Sequence, residues 1–63
     1  MRLDKEIFYN KAVDTVREMG YGSTSLLVSR LRIPYNTAVE VLQLLEERGV
    51  VGPVDGDKPI EVL

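Results

Sequence analysis

The sequence predicts a mainly α fold with a small β-hairpin: a winged helix-turn-helix of three helices followed by a two-stranded wing. Three observations lead there. Two amphipathic stretches, residues 25–31 and 34–48, are separated only by a break at Ile33-Pro34. A longer helical stripe precedes them. Two short runs rich in β-branched residues, 50–54 and 60–63, flank the turn sequence Asp55-Gly56-Asp57-Lys58. Two helices joined by a tight turn, the second being longer, form a helix-turn-helix, and a hairpin directly after the second helix is a wing.

The first helix is expected from Asp4 to Met19. Phe8, Ala12, Val16 and Met19 recur at steps of four and three, with Ile7, Tyr9 and Val13 widening the stripe. Asp4 and Glu6 stand at its start, where the helix dipole favours anions. Gly20 and Gly22 stop it, with Gly20 placed for a left-handed cap. Ser23-Thr24-Ser25 offers three N-caps for the short second helix, expected over Ser25 to Leu31.

Proline disfavours helical backbone at the residue before it, so Ile33 is expected to be extended. Proline also suits the first turn of a helix, which places the third helix at Pro34 to Arg48. Ala38, Val41, Leu42 and Leu45 form its apolar stripe, Val39 and Leu44 lie off it, and Gly49 ends it. The runs Val50 to Val54 and Ile60 to Leu63 read as strands. Pro53 and Pro59 each remove a ladder donor, so the hairpin is short with its prolines at edge positions.

At 63 residues the chain fits a single domain over 1–63, near the lower limit for an unstapled core. The absence of cysteine and histidine excludes disulfide frameworks, the usual zinc sites and the commonest general base. A nucleophile–base pair and a phosphate loop are missing too, so no enzyme and no cofactor is expected. Asp55 and Asp57 lack the further ligands a calcium site needs, and no metal is expected. No stretch approaches the roughly 18 apolar residues of a membrane span, and residues 1–10 lack a signal-peptide core. A cytoplasmic protein without a small-molecule substrate is the expectation. Net charge is −2, unevenly spread: residues 1–33 carry six cations against four anions, residues 34–63 two cations against six anions.

Four stretches carry a family resemblance. They are Ser23-Thr24-Ser25-Leu26-Leu27; Arg30-Leu31-Arg32-Ile33-Pro34-Tyr35-Asn36-Thr37-Ala38; Leu45-Glu46-Glu47-Arg48-Gly49-Val50-Val51-Gly52-Pro53; and Gly56-Asp57-Lys58-Pro59-Ile60-Glu61-Val62-Leu63. Together they resemble the C-terminal gamma domain of the FtsK/SpoIIIE DNA translocases, over essentially the whole chain. The R-I-x-Y turn and the K-P-x-E-V-L tail are the most specific parts. The resemblance implies a winged helix that recognises short polar DNA motifs and so orients a translocase in chromosome segregation; some members also contact a site-specific recombinase. This chain departs from the pattern at four places. Pro34 replaces a family glycine, and Thr37, Glu40 and Ile60 replace family arginines.

The candidate DNA-binding residues are Arg30, Arg32, Tyr35, Asn36, Thr37, Glu40, Gln43 and Lys58. Asn36 and Thr37 lie in the first turn of the third helix, where a recognition helix meets base edges. Asn and Gln suit adenine, Thr a thymine methyl, and Glu a cytosine amino group; helix capping and solvated surface explain the same residues. Arg30 and Arg32 flank the turn and suit phosphates, or local ion pairs with carboxylates. Tyr35 fits either a ring packed in the core with an exposed tip or a hydroxyl facing a phosphate. Lys58 at the wing tip suits a phosphate or the minor groove, or neutralisation by Asp55 and Asp57.

Two functions are therefore carried forward. One is a duplex-DNA-binding module using helix 34–48 and the wing, binding more weakly than its family. The other is a protein-interaction or self-association module that kept the fold and lost the DNA. The acidic second half motivates the latter, and an exposed apolar patch at Val39 and Leu44 would favour it.

Overall fold

A computed structural model describes residues 5–54 and 58–63. Helix α1 spans Lys5–Met19, so the expected start at Asp4 lies outside the described residues. Ala12 and Val16, one turn apart, are fully buried, with Phe8, Tyr9 and Val13 packed beside them. The helix ends as the sequence expects. Gly20 takes φ +81°, and its N–H donates to the Val16 carbonyl at 2.8 Å, a left-handed cap that glycine adopts without a Cβ penalty.

The next two residues, Tyr21–Gly22, form strand β1, which the sequence reading missed. Gly22 is buried, and a Cβ there would meet Leu42 and Val51 at 3.5 Å and Val16 at 3.6 Å. The backbone of β1 thus lies directly against the core.

Helix α2 spans Thr24–Leu31. Of the three possible caps the chain uses Ser23. Its backbone is extended, and its hydroxyl accepts from the Leu26 N–H at 3.0 Å, satisfying one of the orphan donors of the first turn. Leu26 and Leu27 are buried.

Three residues turn the chain into helix α3, Tyr35–Glu47. Arg32 is left-handed, at φ 53° and ψ 50°. Ile33 turns into the core, and Pro34 takes the N-cap in extended geometry without a side-chain cap bond. Pro34 and Arg48 thus flank the helix instead of joining it. The buried face of α3 is Thr37, Ala38, Val41, Leu42, Leu44 and Leu45, wider than the predicted stripe. Leu44 is buried and Val39 is half-buried, so the apolar patch considered at those two positions does not exist at Leu44. Gly49 then reverses the chain at φ +75°.

The wing is smaller than two full strands. Strand β2, Ile60–Glu61, pairs antiparallel with β1, matching Tyr21 to Glu61 and Gly22 to Ile60. The hairpin arm from α3 contributes an isolated bridge, Val51 to Val62. It is flanked by Gly52 N–H donating to Glu61 at 2.8 Å and Leu63 N–H donating to Val50 at 2.9 Å. Pro53 and Pro59 are both exposed, beyond this short pairing. The turn residues Asp55, Gly56 and Asp57 lie outside the described residues. One core joins all elements: Ala12 and Val16 of α1, Leu27 of α2, Ile33, four residues of α3, Val50, Val51 and Ile60. Among the described residues, no helix is long and apolar enough to cross a membrane.

Candidate nucleic-acid interface

With one face of α3 committed to the core, the opposite face is defined by the 3.6-residue repeat. Asn36, Glu40, Gln43 and Glu47 follow at steps of four, three and four, and all are exposed. The structure thus brings three of the predicted base-reading residues onto one outward line. It separates the fourth from them. Thr37 is 9% exposed, in line with Val41 and Leu44 on the packed side. One helical step turns its side chain about 100° from Asn36, and the expected thymine contact does not fit that placement.

Tyr35 is 57% exposed, so its ring lies on the surface and not in the core. Burial also sorts the departures from the family pattern. The side chain at position 60 is 3% exposed. Ile60 is a core residue, and its replacement of an arginine adds to packing. Glu40 is the departure that stands on the outward line.

Arg30 and Arg32 are exposed on either side of the α2 exit. Among the described residues neither forms an ion pair with a carboxylate. Arg30 Nη2 donates to the Met19 thioether at 3.4 Å, a weak acceptor. Arg32 is the non-glycine residue with positive φ among the described residues, a conformation that costs an L-residue roughly 1–2 kcal/mol. Lys58 is exposed just ahead of β2.

Sequence reasoning missed the role of Arg48. Its guanidinium donates to both oxygens of Glu6, at 2.8 and 3.0 Å, and lies 4.4 Å from the centre of the Tyr9 ring. The carboxylate and the ring face together tie the end of α3 to the start of α1. The hydrogen bonds that Arg48 donates to Glu6 raise its pKa above the usual value against the opposing effect of desolvation, so the group remains a cation at physiological pH. One of the two cations in residues 34–63 is thereby engaged away from the outward line of α3. That line holds no cation, and α3 itself contains none.

The family model of the Ftsk gamma domain matches residues 4–63. The DNA translocase FtsK of Halalkalibacterium halodurans is 45% identical over 62 residues, which is 98% of this chain and 8% of that protein. The DNA translocase SpoIIIE of Bacillus subtilis is 47% identical over 55 residues, 87% of this chain and 7% of that protein. The DNA translocase FtsK of Treponema pallidum is 42% identical over 60 residues, 95% of this chain and 8% of that protein. The chain therefore spans a small fraction of the length of each relative it matches.

Proposed function

The chain belongs to the FtsK gamma-domain family, and from that premise we propose that it is a cytoplasmic, non-catalytic module that binds duplex DNA. In this reading α3 enters the major groove, the wing lies against the backbone, and the module serves a translocase that acts on DNA. The observation that carries it is the pair Arg30 and Arg32. Both are exposed without a carboxylate partner among the described residues, at the entrance to an exposed helix face. A phosphate is a far stronger acceptor for Arg30 than the Met19 thioether it meets now.

Arg32 supports the same reading. Its left-handed backbone favours glycine, and a strained residue retained at a candidate site points to use of its side chain. Arg32→Gly is expected to raise the unfolding free energy by about 0.5–1 kcal/mol: relief of left-handed strain less the extra entropy of an unfolded glycine. Duplex affinity should fall in the same variant. Urea titration reads the first and fluorescence anisotropy the second; loss of stability would show that the arginine is held by packing instead.

The direct test is anisotropy with a random duplex across a salt series. Two or three phosphate contacts, from Arg30, Arg32 and Lys58, predict a slope of log affinity on log salt of about −2 to −3. Affinity should be lower than in the relatives, because Glu40 places an anion where the family pattern has a cation. No binding at low salt by the folded chain would overturn the proposal. The second reading, docking to a basic protein surface, is favoured by the exposed Glu40, Glu46 and Glu47. It loses the apolar patch that burial of Leu44 removes.

A further inference from the structure

We propose that this chain reads a short major-groove motif with cytosine opposite Glu40 and adenine on each side, and that Glu40 selects against guanine there. The inference rests on the duplex-binding reading and adds the base identity to it.

The reach of the outward line sets the length of the motif. From Asn36 to Gln43 the helix advances seven residues, about 10 Å at 1.5 Å each. A recognition helix crosses the major groove at an angle, and three reading residues spread over a comparable length of helix contact three successive bases. Asn36, Glu40 and Gln43 are exposed on this line, so each can face one base pair. The helix has no arginine or lysine, and the commonest route to guanine, a bidentate cation on O6 and N7, is closed to it.

Glu40 decides the central position. It is exposed and has no ion-pair partner among the described residues. Entering the groove strips water from its carboxylate, which can only accept hydrogen bonds and so needs a donor from the DNA. Guanine shows two acceptors and thymine an acceptor beside its methyl group. Adenine shows a donor, but its own N7 lies on one side and the thymine O4 of its pair on the other. Cytosine shows its N4 amino group with a C–H on one side and only the guanine O6 of its pair on the other. A carboxylate therefore meets the least repulsion at cytosine. The side-chain amides of Asn36 and Gln43 each carry a donor and an acceptor, matching N7 and N6 of adenine.

The test is selection from a randomised duplex pool by the 63-residue chain. Anisotropy follows on duplexes carrying adenine-cytosine-adenine or single replacements of it. Cytosine is expected to be enriched at the centre, with roughly ten-fold weaker binding when guanine replaces it. Glu40→Gln should move the central preference to adenine, Glu40→Arg to guanine with tighter binding, and Glu40→Ala should abolish it. Guanine selected at the centre by the unmodified chain, or the same preference in all three variants, overturns the proposal. Equal binding to every duplex overturns it as well, while leaving duplex binding intact. No binding to any duplex by the folded chain removes both.

Discussion

Leu45→Ala is expected to lower the unfolding free energy by about 3–5 kcal/mol, the range for removing a leucine side chain from a packed core without collapse around it. Leu45 is fully buried in the last turn of α3, within the cluster that joins α1, α2 and the wing. Its carbonyl also accepts from the Val50 N–H at 2.9 Å and the Val51 N–H at 3.4 Å, so the same residue anchors the exit towards the wing. A domain of this length has a total stability of roughly 3–9 kcal/mol at the usual per-residue value. The loss is therefore a large fraction of the total, and the unfolding midpoint should fall steeply. Circular dichroism in a urea series measures this, with Ile7→Ala as the reference. Ile7 is 67% exposed, and its truncation should stay within about 0.5 kcal/mol of the parent. Equal losses at both positions would mean that the core does not lie where the packing places it.

Joint replacement of Arg30 and Arg32 by alanine should reduce the salt slope of duplex binding by about 1.8, or 0.9 for each phosphate that is no longer neutralised. The drop in affinity should be nearly uniform across DNA sequences, because phosphates carry no base identity. That separates it from the Glu40 variants, which change preference among bases. Arg48→Ala is the informative control. It removes one positive charge as either arginine replacement does, but from a side chain held by Glu6 and Tyr9. Its salt slope should match the parent. A slope that falls equally for Arg48→Ala would mean that overall charge, and not the α2–α3 turn, governs binding. Anisotropy at four or more salt concentrations distinguishes the cases.

The helices were legible because burial writes a 3.6-residue repeat into eight or more positions at once. Gly20 and Gly49 marked two helix ends, and both take the positive φ that makes glycine the favoured residue there. Ile33-Pro34 marked the turn for a comparable reason, since proline restricts its predecessor whatever surrounds it. Strand β1 left no such trace. Two residues are too few to show alternation, and Tyr21-Gly22 becomes a strand only because β2 lies alongside.

The candidate site divides the same way. That Asn36, Glu40 and Gln43 share a face follows from their spacing alone. That Thr37 and Leu44 are buried does not, because the width of a helix's buried face depends on what packs against it. The Arg48–Glu6 contact spans 42 positions, and no local pattern can pair two charges so far apart.

By itself, then, the sequence determined three helices, their punctuation, a turn of helix-turn-helix length, and an acidic second half. These are properties of short windows, where sterics and periodicity act between near neighbours. Only the tertiary structure decided that Ile60 belongs to the core, that Arg48 serves α1, and that Arg32 takes a left-handed conformation. It also decided that, of the three arginine replacements, Glu40 is the one facing outward. Each of these depends on which distant segment comes to lie beside the residue, and that is settled by closure of the whole core.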